Sequence, residues 1–189
     1  MIPIAMVLIL LLLFLVVPAV AAGQTEQFVN RGYARATQAL KLAEKGDAVA
    51  QYEFALMCER GEGIPQNHGE AVRWFRLSAS QDYAPAQLFL GLMYASGKGV
   101  AQDYRLALLW LHLAAEQDEK TAQFYLGGLY FSSKALPQDY AQAFKWFTLA
   151  GRNDPLTHKI LEPLIEKMTP TQIMDAQSQI KNWNPRRPK

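Results

Sequence analysis

Few residues of this 189-residue chain have a type and spacing that would support chemistry. It carries one thiol, Cys58, so neither a disulfide framework nor a cysteine metal cage can be built from it. Three histidines, His68, His112 and His158, fall on separate segments with no neighbouring Cys, Asp or Glu at ligand spacing, which predicts no metal site. Gly91 to Gly99 superficially resembles a phosphate loop, but its first two glycines are six apart and Gly99 stands where Ser or Thr is needed. Ser178-Gln179-Ile180-Lys181 spells Ser-x-x-Lys, the spacing at which a lysine can activate a serine nucleophile, yet neither Ser-Asp-Asn nor Lys-Thr-Gly accompanies it. The residues therefore predict no catalytic group, no metal and no cofactor.

Charge narrows the partners. The net charge of +2 is local, because Lys181, Arg186, Arg187 and Lys189 outweigh a slightly acidic remainder. No basic face for nucleic acid is implied, and 183–189 reads as a solvated, disordered basic tail. At the other end, Met1 to Ala22 has no charged side chain and is rich in Leu, Val, Ile and Ala. This is an export segment: residues 1–21 form a signal peptide cleaved after Ala19-Val20-Ala21, or an uncleaved anchor that supplies the chain's only membrane contact. The body is expected outside the cytoplasm, periplasmic or held at the inner membrane.

The elements that position these residues announce themselves by a 36-residue period. Trp74, Trp110 and Trp146 fall on it, as do Gln51, Gln87 and Gln123, the trio Gln66, Gln102 and Gln138, and the trio Ala71, Ala107 and Ala143. Each copy holds two amphipathic helices. The first presents Ala86, Leu90, Met93 and Tyr94, matched by Ala50, Phe54, Met57 and Cys58 and by Ala122, Leu126, Leu129 and Tyr130. Cys58 thus takes a core position filled by Tyr elsewhere and reads as a small buried hydrophobe. The second helix places Ala107, Trp110, Leu111 and Ala114 on one face, with small residues admitting close approach and Trp filling the gaps. Gly61 and Gly63, then Gly97 and Gly99, supply left-handed turns between the helices; Asn67, Asp103 and Asp139 supply N-caps, with Glu70 and Gln142 at capping-box spacing. In the third copy Ser133 and Ala135 replace both glycines, which predicts a less tight turn.

The run Ala86-Gln87-Leu88-Phe89-Leu90-Gly91-Leu92-Met93-Tyr94, followed by Gly97-Lys98-Gly99-Val100, Gln102-Asp103-Tyr104, Ala107 and Trp110, resembles the Sel1-like repeat, a longer-period relative of the tetratricopeptide repeat. The resemblance implies an all-α, right-handed solenoid of antiparallel helix pairs with repeats at 46–81, 82–117 and 118–151. A cysteine-rich branch of that family is linked to β-lactam binding and hydrolysis through proteins bearing a regular Cys pair in every repeat; the single Cys58 departs from that pattern.

Solenoids need closed ends, since each repeat buries its face only against a neighbour. Residues 22–45, through Ala36, Ala39, Leu42 and Ala43, are expected to cap one end, and 152–182 the other, where Thr169-Pro170-Thr171-Gln172 opens a helix carrying Ile173, Ala176 and Ile180. By analogy with related repeats, the first helices line the concave side. Their outward positions, Tyr52, Leu56, Glu59 and Arg60, Leu88, Leu92 and Ser96, and Phe124, Gly128 and Phe131, are the candidate partner-binding residues. Tyr52, Leu88 and Phe124 are equally suited to packing between successive first helices. The expectation is a non-catalytic adaptor of the bacterial envelope for a protein or peptide, of unassigned oligomeric state; the alternatives are a β-lactam-binding or hydrolysing enzyme and a membrane-tethered assembly subunit.

Overall fold

The structure, a computed structural model, describes residues 31–132, 138–151 and 155–187. The export segment, residues 22–30 of the first cap, and Ser133 and Ala135 lie outside these. The described elements are helices: α1 (31–43), α2 (Ala48–Arg60), α3 (His68–Ala79), α4 (Ala84–Ser96), α5 (Tyr104–Glu116), α6 (Lys120–Ser132), α7 (Tyr140–Ala150), α8 (Pro155–Ile165) and α9 (Pro170–Lys181). Among the described residues no helix is long and apolar enough to cross a membrane. Helices α2 and α3, α4 and α5, and α6 and α7 form antiparallel hairpins; α3 packs on α4 and α5 on α6, so the hairpins stack into an all-α solenoid. Helices α8 and α9 close it against α7.

Local chemistry sets each boundary. Asn67, Asp103 and Asp139 cap α3, α5 and α7 by accepting backbone N–H bonds from residues two or three ahead, at 2.8 to 3.1 Å. The box expected at Glu70 is not closed from its side chain, which turns instead to Arg73 at 3.2 Å. A reciprocal box does form at the start of α9, between Thr169 and Gln172. Helices α2 and α4 end on Gly61 and Gly97, both left-handed at φ 74° and 73°. Gln66, Gln102 and Gln138 each donate a side-chain bond to the carbonyl seven residues back, satisfying the end of the first helix in every copy.

The joint between repeats is made by the other glutamine series. Gln51, Gln87 and Gln123 are buried, and each donates from Nε2 to the carbonyl eight residues earlier, Ala43, Ala79 or Ala115, at 3.1, 3.3 and 3.1 Å. That carbonyl belongs to the last turn of the preceding second helix. The amide oxygens of Gln51 and Gln87 accept in turn from Gln81 and Gln117, the residues that follow their own second helices. One side chain therefore ties together the ends of three helices. The inter-repeat turn beside it holds a left-handed residue at Gly46, Asp82 and Asp118, again one period apart, with φ 92°, 67° and 68°. Asp tolerates that conformation better than most residues, and at 82 and 118 its carboxylate also accepts from the joint glutamine.

The first cap is itself in register. Gly63 lies against the backbone of Gly32 as Gly99 lies against that of His68, so α1 occupies the place of a second helix one repeat upstream. Ala36, Ala39 and Ala43 are buried, but Leu42 is 40% exposed. The physical reason is that Leu42 stands where Ser78 stands in α3, on the side a hairpin's first helix would cover, and among the described residues none does; Leu40 packs inward instead.

Cys58 is 3% exposed in the core of the first hairpin. Burial pushes its thiol up from 9.0 to about 11, so the folded chain holds this proton longer than the unfolded chain. The unfolded state deprotonates first, and this group's contribution to stability is lost as pH rises above the unfolded value.

Three outcomes are expected. A thiol reagent such as Ellman's should leave the native protein unmodified at pH 8 and react with one equivalent after denaturation; prompt native labelling would show an open thiol. Gly99→Ala should destabilise by more than about 3 kcal/mol in urea unfolding, because its methyl would collide with the His68 carbonyl, whereas Gly46→Ala, with open space around it, should cost about 1 kcal/mol for its left-handed backbone alone. Gln123→Ala should cost about 2 kcal/mol by the same measurement, through its lost hydrogen bonds and the void it leaves.

Candidate functional site

The seams between hairpins differ in how they are filled. Between the first and second, Tyr52, Phe75, Tyr83 and Phe89 form one aromatic cluster: Tyr52 meets the other three rings at 5.9, 5.3 and 5.7 Å, and Phe75 stacks on Phe89 at 5.3 Å. One period later, Leu88 and Leu111 replace Tyr52 and Phe75. The second seam is open on the first-helix side, where Leu111 stands in place of Phe75. A cavity of about 300 Å³ lies there, walled by Leu92, Ala95, Leu111, Phe124, Tyr125, Leu129 and Phe147 with Gly128 in its lining. Gly128 occupies the position of Leu56 and Leu92, and a Cβ built on it would meet no described atom within 4 Å, so the missing side chain widens the opening.

Phe124 and Tyr125 also line a second hollow of about 390 Å³, whose further lining is Lys120, Thr121, Ala150, Gly151 and Thr157. Phe124 and Tyr125 form the ridge between the two, each 45% exposed, with their rings edge to face at 6.2 Å and Phe124 also 5.4 Å from Phe147. Such a ridge offers rigid aromatic area at little entropic cost. Lys120 marks the polar end, held by Asp118 at 2.7 Å and by the Leu149 carbonyl at 3.1 Å.

The ten residues picked out in the sequence therefore separate. Leu92, Phe124 and Gly128 meet in the groove. Tyr52 is half-buried in the filled seam and Leu88 is buried at 6%, so both serve the packing role, while Leu56 is half-buried against the core. Glu59 pairs with Lys98 of the next repeat at 2.6 Å, and Arg60 with Glu62 at 3.4 Å. Ser96 is exposed, its hydroxyl turned back to the Leu92 carbonyl, and Phe131 leans on Tyr140 at 6.2 Å. Tyr125 was missed from sequence. The available signal was its position, where the first copy has Glu53 and the second Phe89, beside an already exposed Phe124.

The chemical candidates do not converge. Ser178 and Lys181 are exposed on α9. His68 is half-buried at the start of α3, and the side chain of His158 lies outside the described residues. His112 does have an acidic neighbour, contrary to the spacing argument: Glu116, one helical turn on, brings Oε1 to 3.3 Å from Nδ1, with the Trp146 ring at 5.0 Å. Burial depresses the imidazole pKa, opposed by that carboxylate. Among the described residues no group of three or more His, Cys, Asp or Glu is placed to hold a metal ion.

Comparison with known proteins accords with this architecture. A search of curated proteins gave no significant match. Among solved structures, the chain is similar to a protective antigen present in uropathogenic Escherichia coli strains displaying an SLR fold, with 28% identity and a TM-score of 0.58 over 78% of this chain and 40% of that one. It is also similar in fold to a Sel1 repeat protein from Oxalobacter formigenes, with 24% identity and a TM-score of 0.56 over 65% and 56% of the two chains. The chain thus spans about half the length or less of one relative and little more than half of the other. The Sel1 repeat model matches residues 48–83, 84–119 and 120–155, a frame that begins each copy two residues later than the periodicity reading and on or beside the first residue of each hairpin. With three consecutive matches over more than half its length, the chain belongs to the Sel1 repeat family.

Proposed function

We propose that this chain is a non-catalytic adaptor that holds a protein or peptide segment in the groove between α4 and α6, and that it works in the bacterial cell envelope. The observation that carries the reading is the open second seam: a repeat scaffold whose equivalent first seam is filled by four aromatic rings leaves this one apolar, accessible and edged by Phe124 and Tyr125. Rigid aromatic anchors beside an apolar hollow are what peptide capture uses, and a helix or extended segment would place its side chains in the two hollows on either side of the ridge. Export is supported by the uncharged apolar run Met1 to Ala22, and by the description of one related structure as a protective antigen of uropathogenic Escherichia coli.

Photo-crosslinking from position 124 or 125 in cells, followed by identification of the captured protein, provides the partner for measurement. Phe124→Ala and Leu92→Asp should then each weaken its binding by at least about tenfold, while thermal unfolding of Phe124→Ala moves by only a few degrees. Unchanged affinity in both variants would remove the groove from the binding surface.

A further inference from the structure

A second surface already has an occupant. After α9, 183–187 lies along the second-helix side of the solenoid and, though mostly exposed, reaches back to the Asp82 turn. Three anchors hold it. Trp183 packs edge to face on the buried Trp146 of α7 at 5.3 Å, with the Lys145 ammonium over both rings at 4.5 Å from Trp146 and 5.5 Å from Trp183. The backbone N–H of Arg186 donates to the Glu116 carbonyl at the end of α5, at 2.7 Å. The guanidinium of Arg186 then grips Asp82 with both oxygens engaged, at 2.7 and 3.0 Å. Composition shows the charges of this segment, not the carboxylate that receives one of them 104 residues away.

Asp82 is built to receive such a group. Its backbone is left-handed at φ 67° and its carboxylate is only 18% exposed, already accepting from Gln87 and Gln117. A hollow of about 480 Å³ remains around the pair, lined by Ala79, Gln81, Gln87, Trp110 and Leu113, so Arg186 occupies one wall of a larger space. An extended segment with an aromatic anchor, a backbone bond to a helix end and a bidentate Arg is the anatomy of a bound peptide.

We propose that the Asp82 turn, the end of α5 and α7 form a second peptide-docking site, specific for an extended segment with Trp followed three residues later by Arg. Residues 183–187 are its resident occupant, displaced by a partner segment carrying the same pair. The site is separate from the α4–α6 groove and stands or falls independently of it.

The probe is a labelled peptide of residues 181–189, Lys-Asn-Trp-Asn-Pro-Arg-Arg-Pro-Lys, titrated by fluorescence anisotropy against the full chain, Arg186→Ala and Trp183→Ala/Arg186→Ala. Helical circular dichroism establishes folding, and Arg186→Ala suffices if the double variant does not fold. Binding should be at least about tenfold tighter to the unlatched variants than to the intact chain, and at least about tenfold weaker for a peptide with Ala in place of Arg186, the effect of breaking a partly buried charge pair. Asp82→Asn in the Arg186→Ala background should remove binding. Equal binding to latched and unlatched chains, or indifference to the peptide arginine, would reduce the contact to a structural seam. Concentration-dependent dimers of the intact chain that Arg186→Ala abolishes would assign the site to a second copy and overturn the partner assignment.

Discussion

The buried amide of Gln51, Gln87 and Gln123 is the constraint on which the stack depends. An apolar residue there would pack, but it would not specify where the next hairpin sits. A carboxamide enclosed by protein must find partners for both its donor and its acceptor. In this chain the nearest ones are the last-turn carbonyl of the preceding repeat and, at Gln51 and Gln87, the amide at the end of their own. Any slip of one hairpin on the next would leave those groups unpaired in the interior. Glycines placed against neighbouring backbone, such as Gly99 at His68, act in the same direction by admitting only one depth of approach.

With the joints fixed by polar groups, the apolar residues between them are free to vary, and function is found in that variation. Four aromatic rings close the first seam; two leucines and a glycine open the second. The same logic holds on the opposite side, where Asp82 replaces the Gly46 of the first copy. The left-handed turn is kept, and a carboxylate is added that can receive an arginine. Scaffold and binding surface are thus written at different positions of one repeat.

Most of the scaffold was legible because it recurs. The Trp and Gln registers, the Asn67, Asp103 and Asp139 caps and the glycine turns each repeat at one spacing, and coincidence in several registers identifies a solenoid. The surfaces were less legible because they lie in the departures from the repeat, where periodicity is silent. Tyr52, Leu88 and Phe124 are equivalent in sequence, yet the first two are covered and the third is 45% exposed, a difference that their shared register does not carry. The Glu116 partner of His112 and the Asp82 partner of Arg186 escaped for different reasons: the first is local but not one of a periodic set, the second is remote.

That remoteness alters how the molecule must assemble. Other side-chain hydrogen bonds among the described residues join positions 39 or fewer apart, little more than one repeat, so the hairpins are built from short-range encounters that form quickly. The Arg186 and Asp82 contact instead closes a loop of about a hundred residues, whose entropic cost falls only after the intervening repeats have folded and brought the two ends near one another. In a chain made from its amino terminus, three hairpins can zip up in succession while the Asp82 carboxylate waits without its arginine. The docked segment is therefore a late contact: it can form only on an array whose hairpins are already stacked.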